Sequence, residues 1–181
     1  MSPTIRPARD GDTAAIADIY NQGIVERGAT FETEPRTLED IRPRIEDSSR
    51  FPVLVAERAG RVLGWAALSS YRPRACYAGV AEFSIYVDRE ARGRGVGRQL
   101  LTALIEAARE CGYWKLVSRI FPFNTASRSL CRTCGFREVG VYEKHSQLDG
   151  RWMDVVIVER LIPENLISTA GAATSGTAEH V

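Results

Sequence analysis

The sequence lacks several features that mark whole classes of protein. None of its apolar runs approaches the ~20 residues that a membrane-spanning helix requires, and the first dozen residues contain no apolar signal-peptide core. Charge is nearly balanced, because 24 lysine and arginine residues stand against 23 aspartate and glutamate residues and leave a net charge of +1. Such a chain has no general attraction to nucleic acid or to anionic membranes. We therefore expect a cytoplasmic protein that binds neither nucleic acid nor membranes and recognises anions only locally.

Cysteine and histidine are also scarce. There are two histidines and four scattered cysteines, which are Cys76, Cys111, Cys131 and Cys134. Cys131 and Cys134 form a CxxC pair, but a zinc site needs about four ligands and neither histidine stands at a suitable spacing. We expect reduced cysteines and no bound metal.

The length and the order of the predicted elements indicate one domain. A chain of 181 residues, 44% of them hydrophobic, can enclose one core but is short for two domains. Hydrophobic periodicity predicts a strand, two helices, a β-hairpin, a strand, a helix, a strand, a helix and two final strands, which is an α/β (α+β) arrangement. We assign the domain to residues 1–166. Residues 167–181 are small and polar and are predicted to be disordered.

Local signals set several boundaries within this order. Residues 23–35 show no periodic pattern and are predicted to be irregular. Thr37 and Asp40 have the spacing of a capping box, which predicts the start of the second helix. Asn124 or its neighbour can cap the last helix. The final antiparallel strands are predicted at Val139–Tyr142 and Trp152–Arg160.

The chain is organised around residues 81–111, which are predicted to form a strand, a glycine- and arginine-rich turn and an amphipathic helix. A helix N-terminus has about four backbone N–H groups without intrahelical partners and a partial positive charge. The three glycines of the turn remove side chains that would hold a phosphate away from the backbone, and the three arginines add positive charge. The turn therefore predicts a diphosphate site formed by Arg92, Gly93, Arg94, Gly95, Gly97 and Arg98.

The glycine spacing excludes two common phosphate-binding motifs. Glycine recurs at every second position, whereas a dinucleotide-binding fold has GxGxxG and a P-loop has GxxxxGK[ST]. A turn with solvated arginines and no ligand is the alternative interpretation.

Glu82 lies in the middle of the predicted strand, with apolar residues on both sides. A carboxylate is costly to bury there unless it faces a cavity, so we predict that Glu82 is a general base. The alternative is an exposed carboxylate on a sheet edge.

The turn carries a family resemblance. Residues 92–97, RGRGVG, resemble the [Q/R]xxGx[G/A] acetyl-CoA signature of GCN5-related N-acetyltransferases (GNAT), and the order of elements from Ile5 to Leu161 is similar to that fold. Four further segments resemble the phosphinothricin, methionine sulfoximine and arsinothricin N-acetyltransferases: FETEP at 31–35, RPRACY at 72–77, AEFSIYV at 81–87 and WMDV at 152–155. The run YWKLVSRIFPFNTAS at 113–127 is most similar to the arsinothricin branch.

The resemblance implies a GNAT fold, a central mixed twisted sheet with helices on both faces, and acetyl-CoA as co-substrate without a metal. It implies that Glu82 is the base and that the protein is a homodimer with a resistance or detoxification activity. The implied acetyl-CoA-binding residues are Ile85, Tyr86, Val87, Arg92, Gly93, Arg94, Gly95, Val96, Gly97, Arg98 and Asn124. For Asn124, a helix cap without a ligand is the alternative.

The acceptor is predicted to be an acidic amino acid. Arg72 and Arg74 precede the central strand, and arginine matches the bidentate geometry of carboxylate, phosphinate or arsonate groups. Phe31 and Tyr77 are predicted to line the same opening. The alternative for each arginine is a solvated loop charge. Weaker candidates come from the C-terminal hairpin, namely Lys144, His145 and Trp152.

No general acid is assigned. Many GNAT enzymes carry a tyrosine where this chain has Cys131. A thiol with an ordinary pKa of ~8.5 can donate a proton, but coenzyme A can also leave as a thiolate, and buried packing is the simpler role for this cysteine.

Two kinds of rival function stay open at this stage. The protein could acetylate another small amine, a lysine or a protein N-terminus, which calls for an open groove rather than an anion clamp. It could also be an acyl-CoA sensor without catalysis, which has no need of a base at Glu82.

Overall fold

Seven strands form one mixed sheet, and four helices cover it in this computed structural model, which describes residues 2–166. The strand order is β1-β2-β3-β4-β5-β7-β6, and neighbours are antiparallel except β4 and β5. The elements are β1 (Thr4–Pro7), α1 (Thr13–Glu26), α2 (Leu38–Glu46), β2 (Val53–Arg58), β3 (Arg61–Ser70), β4 (Val80–Val87), α3 (Val96–Glu110), β5 (Lys115–Ile120), α4 (Thr125–Thr133), β6 (Arg137–Leu148) and β7 (Arg151–Leu161).

The predicted α+β order and the parallel β4–α3–β5 crossover are confirmed. The predicted tail, residues 167–181, lies outside the described residues. Within the described residues, no helix combines the length and the apolar character needed to cross a membrane.

Helices pack on both faces of the sheet, as the resemblance implied. On one face, α1 and α2 bury Ile16, Ile24 and Ile41 against Trp65 of β3. On the other face, the apolar stripe of α3 packs against the core with Phe83 of β4 and with Cys131 of α4. The sheet thus separates two cores, and a side chain on β4 faces one or the other by alternation.

Capping side chains begin two of the helices. The N–H of Asp40 donates to Thr37 Oγ1 at 3.3 Å, and the N–H of Thr37 donates to the Asp40 carboxylate at 2.8 Å, so the predicted capping box is confirmed. Asn124 Oδ1 accepts the N–H of Ser127 at 3.0 Å and caps α4.

Two boundary predictions were wrong. Helix α1 continues to Glu26 through Gly23, because this glycine lies against the ring of Tyr86, where a Cβ would approach Cε1 to 2.9 Å. This contact outweighs the low helix propensity of glycine. Strand β6 spans Arg137–Leu148 rather than four residues, because most of its side chains are exposed and give no hydrophobic alternation to read.

The sheet opens between β4 and β5, which are joined over only three residue pairs in the described chain. The last pair is Glu82 with Val117, and past it the two strands share no further register. The hydroxyl of Ser118 donates to the carbonyl oxygen of Phe83 at 3.0 Å just beyond that point. The strand pair therefore divides in the middle of the sheet, next to the N-terminus of α3.

Candidate active site

A cavity of about 650 Å³ lies between β4, the turn into α3, the end of α1 and α4. Ten of the eleven residues predicted to bind acetyl-CoA line it, and Arg94 is the exception. The ten are Ile85, Tyr86, Val87, Arg92, Gly93, Gly95, Val96, Gly97, Arg98 and Asn124. The structure therefore brings the glycine turn and the end of β4 to one site, as the sequence predicted.

The turn presents free backbone donors to this cavity. Gly93 and Gly95 have φ values of 73° and 79°, and open space lies where a Cβ would be. Within residues 2–166, the N–H groups of residues 93–98 have no hydrogen-bond acceptor. These amides belong to the start of α3, whose dipole favours an anion there. The arrangement fits the diphosphate of acetyl-CoA.

The three arginines of the turn have different surroundings. Arg92 donates to the carbonyl oxygen of Val87 at 3.0 Å and to the carboxylate of Glu26 at 2.8 Å, so it ties the turn to β4 and α1. Arg98 lines the large cavity. Arg94 instead lines a separate cavity of about 280 Å³ together with Arg58.

Asn124 joins two walls of the large cavity. Its Oδ1 caps α4, and its Nδ2 donates to the carbonyl oxygen of Gly28, after α1, at 3.0 Å. The cap predicted as an alternative role is therefore present, and the same side chain also lines the cavity. Its contact with acetyl-CoA stays a prediction.

A smaller cavity of about 90 Å³ occupies the gap where β4 and β5 diverge. It shares six lining residues with the large cavity, so the two adjoin. Phe83, Ser118, Arg119 and Cys131 also line it. The junction of the two cavities is therefore the place where the sheet itself is open.

Glu82 lies on β4 at the last residue before this gap. Its carboxylate forms an ion pair with the guanidinium of Arg119, and the Glu82 side chain is 23% exposed. The sheet-edge alternative is wrong, because β4 lies between β3 and β5. Glu82 does not itself line either cavity, and its link to the smaller one is Arg119.

Arg119 is a site residue that the sequence analysis missed. No motif surrounds it, but it alternates with Val117 along β5, and Val117 is the residue paired with Glu82. The two-residue spacing places Arg119 on the same face of β5 as Val117. It identifies Arg119 as a neighbour of Glu82 only once the register of β4 and β5 is known.

The four predicted acceptor residues line neither of these cavities. Phe31 packs edge-on against Phe121, with ring centroids 4.9 Å apart. Arg72 and Arg74 are exposed on the connection from β3 to β4, and Tyr77 lies in the same connection. The structure therefore does not gather the four around one cavity, and their roles stay predictions.

Cys131 is buried in the core, which raises the pKa of its thiol to about 12. A thiol this weak as an acid does not readily protonate a leaving thiolate whose own pKa is ordinary, ~8.5. This supports the packing role. The weaker candidates Lys144, His145 and Trp152 are exposed on the β6–β7 hairpin. In the described part of the chain, no cluster of three or more histidine, cysteine or acidic residues could hold a metal ion.

Comparison with known sequences identifies relatives that cover most of the chain. A family model described as the acetyltransferase (GNAT) family matches residues 14–136. The chain is 40% identical over 161 residues to phosphinothricin N-acetyltransferase of Alcaligenes faecalis, covering 87% of this chain and 81% of the relative. It is 37% identical over 162 residues to L-methionine sulfoximine/L-methionine sulfone acetyltransferase of Pseudomonas aeruginosa, covering 88% and 94%.

Solved structures share the fold. Ribosomal-protein-alanine N-acetyltransferase from Brucella melitensis matches with a TM-score of 0.84 and 38% identity, over 88% of this chain and 99% of that one. A phosphinothricin acetyltransferase from Sinorhizobium meliloti in complex with acetyl-CoA matches with a TM-score of 0.82 and 30% identity, over 90% and 89%. The chain therefore belongs to the acetyltransferase (GNAT) family and is an acetyl-CoA-dependent N-acetyltransferase.

Proposed function

We propose that the protein transfers acetyl from acetyl-CoA to the α-amine of a glutamate-like amino acid that carries a terminal oxyanion. Phosphinothricin and arsinothricin are acceptors of this type, and methionine sulfoximine carries an uncharged, oxygen-bearing sulfoximine group at the same position. Two of the relatives act, by their names, on phosphinothricin and on methionine sulfoximine. The activity would detoxify such compounds.

The position of Glu82 carries the proposal. Acetyl transfer needs an uncharged amine, and a base must lie beside the thioester to provide it. Glu82 is the last residue of β4 that pairs with β5, and the smaller cavity, which adjoins the large one, begins at the next residue, Phe83. A donor whose diphosphate binds at Gly93–Arg98 would extend along the large cavity towards this point.

The reaction follows from these positions. Glu82 accepts a proton from the acceptor's ammonium group, directly or through one water. The neutral nitrogen attacks the thioester carbonyl carbon, and a backbone N–H of diverging β4 stabilises the oxyanion that forms. The carbon–sulfur bond then breaks as the nitrogen releases its second proton to water, which gives the neutral amide, and coenzyme A leaves as a thiolate that takes a proton from water. No role as acid is required of Cys131.

The terminal oxyanion of the acceptor is assigned to the connection between β3 and β4. Arg72 and Arg74 are exposed there. Each can bind a phosphinate, sulfonyl-type or arsonate oxygen by its guanidinium group. Phe31 and Tyr77 provide apolar surface for the methylene chain of the acceptor.

We also propose that the protein is a homodimer. The edge strand β6 and the adjacent β7 expose five large apolar side chains, Val139, Val141, Tyr142, Trp152 and Leu161. Exposed apolar surface on an edge strand favours a protein partner. Sedimentation should show twice the chain mass of 20.1 kDa, and a species of one chain mass alone would contradict the proposal.

Acetylation of a protein N-terminus is the second candidate. A solved structure with the same fold is named as a ribosomal-protein-alanine N-acetyltransferase. A peptide acceptor lacks the free α-carboxylate of an amino acid at its first residue, so the two functions can be separated by the acceptor alone.

Thiol release from acetyl-CoA tests both functions. The purified protein would be assayed with phosphinothricin, methionine sulfoximine, arsinothricin and glutamate, and with a peptide that begins with alanine. Turnover confined to the amino acids is the expected result, and the order of kcat/KM would rank the acceptors. Turnover of the peptide alone would replace the proposal by the second candidate. Acetyl-CoA binding without turnover of any acceptor would favour an acyl-CoA sensor.

A further inference from the structure

The ion pair between Glu82 and Arg119 occupies a position where an ion pair is unexpected. The two side chains extend from neighbouring strands at the opening of the sheet, and Arg119 also lines the smaller cavity. The Arg119 side chain is 45% exposed, so a small molecule can reach it. Its partner is the residue that must be free to accept a proton from the acceptor.

The other cation of β5, Lys115, is engaged elsewhere. Lys115 of β5 and Arg137 of β6 both form ion pairs with Glu159, a carboxylate buried on β7. Arg119 is therefore the cation of this group whose carboxylate partner is also the base of the proposed reaction. Any ligand that engages Glu82 with a positive charge leaves Arg119 in need of a negative one.

An α-amino acid satisfies both groups at once. Its ammonium and carboxylate groups are attached to the same carbon, so its two opposite charges lie about as close together as those of the protein's ion pair. When the amino acid binds between the two side chains, the Glu82–Arg119 ion pair is replaced by two ion pairs. The ammonium group pairs with Glu82, and the carboxylate pairs with Arg119. Guanidinium and carboxylate form bidentate hydrogen bonds with well-defined orientation.

We propose that Glu82 and Arg119 together form the receptor for the zwitterionic head of the acceptor, with Arg119 binding its α-carboxylate. The inference rests on the proposed function and makes it more specific. It divides the acceptor's two anionic groups between two places, since Arg72 and Arg74 line neither cavity and are left for the terminal oxyanion. The chemistry therefore selects free α-amino acids over simple amines, amino acid amides and peptides.

Arg119 also favours the reactive form of the acceptor. A positive charge held near an ammonium group disfavours protonation of the amine. By binding the α-carboxylate, Arg119 holds the amine beside Glu82. Its positive charge also disfavours the ammonium form of that amine, which cannot attack the thioester. The group acts on the substrate directly and takes no proton itself.

The test compares two ligands that differ only at the α-carboxylate. L-Phosphinothricin and its α-carboxamide would be titrated by calorimetry into protein saturated with coenzyme A. For the wild type we expect the acid to bind more tightly. In Arg119→Gln, the ratio of the two affinities should fall ~10- to 100-fold, the range for loss of a hydrogen-bonded charge pair. Arg119→Lys, which keeps the charge without the planar fork, should restore part of the ratio.

A matched control is available on α3. Arg109 forms an ion pair with Glu106 and its side chain is 41% exposed, close to the exposure of Arg119. Arg109→Gln should leave the acid-to-amide ratio unchanged. Thermal unfolding and acetyl-CoA binding would verify that each variant is folded.

Several outcomes would overturn the inference. They are a wild type that binds both ligands equally or binds neither, an Arg119→Gln variant that keeps the preference for the acid, and a variant that loses both ligands in equal measure. Turnover reports on the proposed function separately. A wild type that prefers the acid but releases no thiol from acetyl-CoA would retain the receptor and refute the transfer reaction.

Discussion

The two halves of the site are built from different parts of the polypeptide. The proposed donor half, which comprises residues 85–87 and 92–98, lies in one continuous stretch and includes the free backbone N–H groups of residues 93–98. The proposed acceptor half, which comprises Glu82, Arg119 and the residues of the two connecting loops, offers side chains from distant stretches. Backbone groups recognise a diphosphate common to every acetyl-CoA reaction, whereas side chains can change without disturbing the fold. The difference indicates that acceptor specificity can vary while donor binding is kept.

The strongest way to separate the halves is to remove the base. In Glu82→Gln we expect kcat to fall by ~10²- to 10⁴-fold, the usual contribution of a general base. The acetyl-CoA dissociation constant should stay unchanged, because the donor half does not include this carboxylate. Glu106→Gln, which alters an exposed ion pair on α3, is the control. Full turnover in Glu82→Gln would show that Glu82 is not the base and that catalysis does not depend on this side chain of the acceptor half.

A substitution that alters the backbone of the glycine turn should weaken acetyl-CoA binding and leave acceptor binding nearly unchanged. Gly95→Ala places a side chain at φ 79°, a left-handed conformation that costs an L-residue ~1–2 kcal/mol, so the turn should shift and acetyl-CoA affinity should fall ~5- to 30-fold. The KM for the amino acid acceptor should change little. Gly60→Ala is a matched control, because Gly60 has φ 78° and open space around it in the β2–β3 turn. Equal effects of the two substitutions on acetyl-CoA binding would contradict a backbone-built donor half.

Ion pairs in the sheet next to the acceptor half should make the folded protein sensitive to acid, because Glu159 of β7 lies beside β5, the strand that carries Arg119. Hydrogen bonds from Lys115, and then from Arg137, lower the pKa of buried Glu159 below its ordinary value of 4.5, against the opposing effect of burial. A lowered pKa contributes stability that is complete above pH 4.5 and is lost as the pH falls through the lower folded-state value. Glu159→Gln should therefore lower the free energy of unfolding by ~1–2 kcal/mol at pH 7 and by less near pH 3. Urea unfolding of both proteins at the two pH values measures this, and a difference independent of pH would count against the ion pairs.

The smallest effect is expected from the exposed arginine of the donor half. Arg92 forms a surface ion pair with Glu26, and such pairs contribute ~0.2–1 kcal/mol. Arg92→Gln should raise the KM for acetyl-CoA by only ~2- to 5-fold, with less effect at high salt. A loss as large as that of Gly95→Ala would mean that the arginine, rather than the backbone, dominates donor binding.

The same division explains what could be predicted from the sequence. The glycine turn, the capping box at Thr37 and the cap at Asn124 are local patterns, in which the interacting groups are a few residues apart. Their positions were therefore predictable, and the fold class followed from the order of elements. The prediction of a diphosphate site at residues 92–98 needed no knowledge of the tertiary structure beyond a strand followed by a helix.

The acceptor half depended on contacts that no local pattern records. Arg119 is 37 residues from Glu82 and becomes its neighbour only through the register of β4 and β5. The sequence analysis predicted an irregular segment from Gly23 onwards, because the contact of Gly23 with Tyr86, which explains a glycine inside α1, is also long-range. Strand β6 was underestimated because an exposed edge strand lacks the alternation that identifies buried ones.

The opening between β4 and β5 has a further consequence. Where β4 and β5 diverge, each strand has an unpaired edge inside the sheet, whereas unpaired edges normally occur only at the outermost strands. An exposed unpaired edge favours aggregation, because any extended chain can form hydrogen bonds with it. Here residues of α4 and of the segment after α1 line the opening. The unpaired edge is therefore more shielded from a second polypeptide strand than an outer edge, and it offers hydrogen-bonding groups to a narrow molecule with amides of its own.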